Sequence, residues 1–142
     1  EYLIAAHAGS TPRPLAKVAS GGELARISLA ISVITSQASF TPTLIFDEVD
    51  SGIGGAVAQT VGELLKKLGQ SHQILCVTHR AQVAAQGNHH FKVIKNQTNG
   101  VTSSDVSSLG RQERIEEIAR MLGGATITDT TRRHARELLG QS

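Results

Sequence analysis

The stretch Thr43-Leu44-Ile45-Phe46-Asp47-Glu48-Val49-Asp50-Ser51-Gly52-Ile53-Gly54-Gly55 runs from a short apolar segment into two adjacent carboxylates and then into a glycine-rich turn. An apolar run of this length, closed by acids and glycines, predicts a central strand buried on both faces. Side chains alternate across a strand, so the neighbours Asp47 and Glu48 can take different tasks. Working outward, helical and strand patterns alternate. Ala56 to Leu68 predicts a helix with Val57, Val61, Leu64, Leu65 and Leu68 inward. Gln73 to Thr78 predicts a second buried strand, Ala81 to Ala85 a short helix and Phe91 to Lys95 a third strand, with a weaker alternation over Val101 to Leu109 as a fourth. Arg111 to Leu122 and Thr130 to Leu139 predict two amphipathic helices, the first closed by Gly123-Gly124. Upstream, Leu24, Ile27, Ile31 and Ile34 recur at spacings of three and four, an apolar stripe on a helix running from near Gly21 to before Phe40. Tyr2 to Ala6 predicts a short strand and Gly9 to Pro14 a loop. The whole predicts an α/β fold, a mostly parallel sheet flanked by helices, in which ligand chemistry gathers at the carboxyl ends of strands.

Bulk properties narrow the function less than the pattern does. A chain of 142 residues with 39% apolar content suits one globular domain. Fourteen Lys and Arg against twelve Asp and Glu give a net charge of +2, too little to argue for nucleic-acid binding from composition. The single cysteine, Cys76, sits inside Ile74-Leu75-Cys76-Val77, which excludes an internal disulfide and fits a buried inert thiol in a reduced, cytoplasmic setting. No stretch approaches the roughly 18 apolar residues of a membrane span, so a soluble protein with no membrane partner is expected. The start Glu1-Tyr2-Leu3-Ile4 lacks an initiator Met and opens in a strand-like run, as expected of a piece of a longer chain. His7, His72, His89, His90 and His134 show no zinc-site spacing.

Three motifs carry chemistry. Ser20-Gly21-Gly22-Glu23 stands directly before the first amphipathic helix and has the spacing of a capping box. Capping leaves the two glycines unexplained, since glycine in a first helical turn costs backbone entropy. Something must approach the backbone closely there, and a helix N-terminus without Cβ atoms is a seat for a phosphate. In the second motif, Asp47 has the position and the hard oxygen donors that a Mg2+ ion requires, leaving Glu48 to orient or deprotonate an attacking water. The alternative is a solvated acidic turn after a core strand. Asp50-Ser51-Gly52-Ile53-Gly54-Gly55 by itself says only that a tight turn follows. The third motif, Thr78-His79-Arg80, ends the next strand, where His79 is either a packed or capping residue or a hydrogen-bond donor to a terminal phosphate.

In this order the motifs resemble the ATP-binding-cassette ATPases, with Ser20 to Glu23 as the signature, Thr43 to Glu48 as the Walker B strand, Asp50 to Gly55 as the D-loop and His79 as the switch histidine. Pro14-Leu15-Ala16-Lys17-Val18-Ala19-Ser20-Gly21-Gly22-Glu23-Leu24, Ile45-Phe46-Asp47-Glu48-Val49-Asp50-Ser51-Gly52-Ile53 and Ile118-Ala119-Arg120-Met121-Leu122-Gly123-Gly124 are similar, more narrowly, to SMC-like members that act in bacterial double-strand-break repair and recombination. The resemblance covers nearly the whole chain. It implies the C-terminal lobe of a P-loop NTPase-like ATPase head, with ATP and Mg2+ as cofactors, Asp47 as metal ligand, Glu48 as the residue that polarises water and His79 as a contact to the γ-phosphate. It implies that Ser20, Gly21 and Gly22 face the γ-phosphate bound to the opposite copy in a head-to-tail dimer, with Glu23, Asp50, Ser51 and Gly52 as further nucleotide-binding residues. An N-terminal Walker A lobe of the same protein, a coiled coil spliced before Glu1, and DNA contacted through the full-length, nucleoid-associated protein complete the implied set of partners. Two residues depart from the pattern: Gly54 stands where many relatives carry an acid, and Arg80 where an apolar residue is usual. No G-x-x-x-x-G-K-[ST] sequence occurs in the chain, so alone it is expected neither to bind ATP tightly nor to hydrolyse it. A transporter nucleotide-binding lobe and a non-enzymatic interaction domain that retains the fold are the competing readings.

Overall fold

Two short strands open the chain in the computed structural model, which describes residues 3–5, 8–14, 21–35, 41–98, 100–124 and 126–140. Strand β1 (Leu3–Ile4) pairs antiparallel with β2 (Arg13–Pro14), Leu3 opposite Pro14 and Ile4 opposite Arg13. The end of the predicted 9–14 loop therefore closes back as a strand, with Pro14 in a position that an edge tolerates. The chain divides into two compact units, Glu1–Thr78 and His79–Ser142.

In the first unit, helix α1 (Gly21–Thr35) is followed by β3 (Thr43–Phe46), α2 (Gly55–Leu68) and β4 (Gln73–Cys76). Strands β3 and β4 are parallel, with Thr43, Leu44, Ile45 and Phe46 opposite Gln73, Ile74, Leu75 and Cys76. Parallel neighbours need a crossover, and α2 supplies it. Val77 N–H donates to Phe46 O at 2.9 Å and Gln73 N–H to Pro42 O at 2.9 Å, extending the ladder at both ends. Ala58, Val61, Leu65 and Leu68 of α2 are buried, as are Phe46, Val49, Ile53 and Leu29 of α1.

Three expectations fail here. Val57, read as inward, is 49% exposed. The stripe on α1 is only partly covered, with Ile27 half-buried but Leu24 and Ile31 each 38% and Ile34 82% exposed, while the buried positions are Gly22 and Leu29. The strands are covered on one face only: Leu44, Phe46, Ile74 and Cys76 are buried or half-buried, whereas Ile45 is 71%, Leu75 44% and Val77 54% exposed. Cys76 is half-buried, and its thiol is pushed up to about 12 by burial, with Asp50 and Asp47 adding to the effect, so it stays protonated and inert.

In the second unit, α3 (Ala81–Ala84) precedes β5 (Phe91–Thr98), β6 (Val101–Ser108), α4 (Arg111–Gly123) and α5 (Asp129–Leu138). The third and fourth predicted strands are thus the arms of an antiparallel hairpin, from Phe91 opposite Ser108 to Thr98 opposite Val101. Among the described residues the sheets are three separate pairs, of which only β3–β4 is parallel, and this replaces the expected mostly parallel sheet. The core of this unit is Ala81, Ala85, Ile115, Ile118, Ala119 and Ala135, flanked by Met121, Leu122, Ile127 and Leu138. Arg114 closes the carboxyl end of α3, donating to Ala84 O at 3.2 Å, Ala85 O at 3.1 Å, Asn88 O at 3.3 Å and also to Gly87 O. Thr128 caps α5 by accepting from Thr131 N–H at 3.2 Å, and Gly124, at φ +70°, ends α4.

Glu117 is buried yet ionised, with Lys92 Nζ and Arg120 Nη2 each 2.6 Å from its carboxylate. The hydrogen bonds from Arg120, then Lys92, hold its pKa at about 2 against the opposing effect of burial. His90 is the reverse case: burial first, then the Arg114 and Lys92 cations, outweigh Glu117 and lower its proton affinity. Its Nδ1 is buried without a partner. Unfolding therefore takes up a proton once pH falls below the ordinary histidine value of 6.5, and stability declines with it. Glu117 adds its own loss only below 4.5, on the way to 2. Thermal denaturation between pH 6.5 and 4.5 should show this unit losing stability, and His90→Leu should flatten that slope; an unchanged slope would remove His90 as its source. No helix among the described residues is long and apolar enough to cross a membrane.

Candidate functional site

Strand β3 hands the chain to a turn that five hydrogen bonds hold in place. Asp47 is exposed, and its Oδ1 accepts from Glu48 N–H at 2.8 Å. Glu48 stands at φ +58°, a left-handed conformation rare for a residue with a Cβ. Ser51 N–H donates back to Glu48 O at 3.0 Å. Val49 and Asp50 turn inward, 0% and 5% exposed. Thr78 Oγ1, just past β4, donates to Asp50 Oδ2 at 2.5 Å, tying the turn to the neighbouring strand end. Arg26 reaches across from α1, its Nη1 2.9 Å from Ser51 O and 3.4 Å from Val49 O.

This turn lies against the start of α1 in the same chain. A Cβ added to Gly21 would stand 2.7 Å from Glu48 Oε2. One added to Gly22 would stand 3.0 Å from Ser51 Cβ and 3.1 Å from both Arg26 Nη1 and Glu48 O. The close approach that the glycine pair demanded is therefore made by the acid-bearing turn itself. The structure brings Gly21, Gly22, Asp47, Glu48, Asp50 and Ser51 into one cluster within the first unit. Its Glu23 is exposed on the first turn of α1. Ser20, half of the predicted capping box, lies outside the described residues. Gly52 is exposed at φ +69°, which explains a glycine there by backbone conformation alone. His79 is exposed and begins the second unit, and Arg80 is the residue before α3, at φ −104°.

Asp50, read from the sequence as one of the nucleotide-facing residues, has its carboxylate buried and engaged by Thr78. Arg26 was missed altogether. Its only signal was a cation four residues after Gly22 and three before Leu29, hence on the buried face of α1. Among the described residues no three His, Cys, Asp or Glu side chains form a group able to hold a metal ion.

No family model matches the chain. Among curated proteins it is 54% identical over 139 residues to DNA repair protein RecN of Xylella fastidiosa, 98% of this chain and 25% of that one. It is 53% identical over 138 residues to RecN of Vibrio cholerae, 97% of this chain and 25% of that one, and 44% identical over 142 residues to RecN of Bacillus subtilis, 100% and 25%. The chain thus spans about a quarter of the length of these relatives. Among solved structures it is similar to the Smc head domain with coiled coil and joint from Pyrococcus yayanosii, at TM-score 0.59 and 26% identity over 78% of this chain and 20% of that one. It also resembles in fold a chain from a study of ATP-driven dimerization and DNA-stimulated activation of SMC ATPases, at TM-score 0.56 and 24% identity over 84% and 71%.

Proposed function

We propose, from the premise that this chain is a homologue of a quarter-length segment of DNA repair protein RecN, that it is the C-terminal lobe of an ATPase head acting in DNA double-strand-break repair and recombination. The observation that carries the proposal is the cluster of Gly21, Gly22, Asp47 and Glu48 on one edge of the first unit. In this reading Asp47 holds Mg2+, whose charge, when bound, neutralises phosphate oxygens. Glu48 orients and polarises the attacking water. Ser20, Gly21 and Gly22 present helix N–H groups to the γ-phosphate bound by a second copy, in a head-to-tail dimer, with Glu23, Ser51 and Gly52 bordering that seat. Asp50 keeps the acid pair in place through Thr78. His79 donates to the γ-phosphate, and DNA is engaged by the full-length protein rather than by this lobe's modest charge.

The Walker A lobe as partner is supported by the uncovered side of the β3–β4 pair. Parallel sheets are found with both faces covered, yet Ile45, Leu75 and Val77 lie exposed together on one face. The relatives are about four times as long as this chain, and we take the polypeptide they carry beyond the matched segment as the source of that cover. Supplying the missing lobe in trans should restore ATP hydrolysis and an ATP-dependent increase in size, neither of which is expected of this chain by itself. Hydrolysis by the chain alone, above a Glu48→Gln control, would sink the two-lobe reading; no ATP-dependent assembly with the lobe present would favour the non-enzymatic one.

A further inference from the structure

We infer that Arg26 is a positioning residue that couples the glycine pair of α1 to the acid pair after β3, an inference that rests on the ATPase reading above. Glu48 sits in a left-handed backbone conformation that a residue with a Cβ keeps only where its surroundings over-determine it. Two of the restraints are local to the turn, the Asp47 Oδ1 to Glu48 N–H bond and the Ser51 N–H to Glu48 O bond. They fix the shape of the turn and leave its position undetermined. Position comes from Thr78, which holds Asp50 from the β4 side, and from Arg26, which holds Val49 O and Ser51 O from the α1 side.

Guanidinium suits this task. It is always charged, and its Nη1 alone carries two N–H donors, so this one nitrogen can reach both the Ser51 and the Val49 carbonyls. The helix is shaped around it: Gly22, one turn before Arg26, leaves open the volume that a Cβ would take 3.1 Å from Arg26 Nη1. Arg26 is half-buried on the face that also carries buried Gly22 and Leu29, so the head group has little freedom to leave. A displacement of the first turn of α1, such as closing on a second copy's phosphate, is thereby passed to the segment that carries Glu48. Arg26 touches no reacting atom itself; it sets where Glu48 stands when the glycines are engaged.

The test uses the full-length protein carrying Arg26→Met or Arg26→Lys, with Glu48→Gln as a reference, reading ATP turnover, KM and ATP-dependent dimerisation by light scattering. Arg26→Met should lower kcat on the order of 10- to 100-fold, the scale of a misplaced catalytic group. Its KM and its ATP-dependent dimer should be retained. Arg26→Lys, which keeps one cationic donor, should recover part of the loss. Wild-type kcat in Arg26→Met overturns the inference. So does a joint loss of kcat, dimer and thermal stability that Lys does not improve, because that pattern is a folding defect. If Glu48→Gln turns over ATP like the wild type, the acid-pair reading itself fails; if Glu48→Gln is inactive and Arg26→Met is normal, only the coupling fails.

Discussion

Glu48→Gln in the full-length protein is expected to slow ATP turnover by roughly 10²- to 10⁴-fold, the contribution of a positioned acid–base group, while ATP-bound dimers accumulate. The amide is isosteric with the carboxylate, so the turn should keep its shape: the contacts that hold it engage the backbone of Glu48 and the side chain of Asp47, not the Glu48 carboxylate. What is lost is the negative charge that, in the proposed role, polarises water. Gel filtration with ATP, paired with phosphate release, separates binding from chemistry. Turnover at the wild-type rate would take Glu48 out of the mechanism and return Asp47-Glu48 to the solvated acidic turn that the sequence alone also allowed.

Replacing each signature glycine by alanine should give two different outcomes. At position 22 the new methyl meets the Glu48 backbone oxygen at 3.1 Å and the Ser51 Cβ at 3.0 Å, on a buried site. Backbone cannot swing aside, so the turn must shift or α1 must lift. Overpacking of this kind costs about 1–3 kcal/mol, partly offset by the roughly 1 kcal/mol that alanine gains over glycine within a helix. Gly22→Ala should therefore lower stability and also lower turnover, by less than the roughly 100-fold of a full ångström's misplacement, since Glu48 moves with its backbone. At position 21 the methyl meets only Glu48 Oε2, at 2.7 Å, the far end of a flexible side chain on an exposed site. Gly21→Ala should leave the melting temperature unchanged or slightly raised while displacing the carboxylate. Denaturation curves and ATPase rates for the two variants check this, and equal stability losses at both positions would contradict the packing described here.

The sequence foretold these elements unevenly, for physical reasons. Helix α2 and the strand β3 were legible to within a residue because apolar spacing and a glycine turn bound them on both sides. The exposure of Ile45, Leu75 and Val77 was not, because periodicity reports which residues are apolar and not what covers them. On α1 the same limit applied: Leu24, Ile31 and Ile34 made the conspicuous stripe, yet the face that packs carries Gly22, Arg26 and Leu29, of which only the last is apolar. The β5–β6 hairpin had a signal that went unused, Asn99-Gly100 between two alternating runs, and Gly100 stands at φ +78°. Within the site, the need for close approach at Gly21-Gly22 could be read from glycine's entropic cost. The identity of what approaches could not, since it depends on a turn some 27 residues later adopting a left-handed glutamate.

The 2.7 Å approach of Glu48 to the vacant side of Gly21 constrains the order in which the two positions can change during evolution. A lineage that acquires alanine at 21 first keeps a well-folded but misaligned acid. One that first shortens 48 to aspartate makes room for the methyl but withdraws the carboxylate by a methylene. Under the proposed role of Glu48 neither single step would be silent, so the two sites are expected to constrain each other through activity and not through folding.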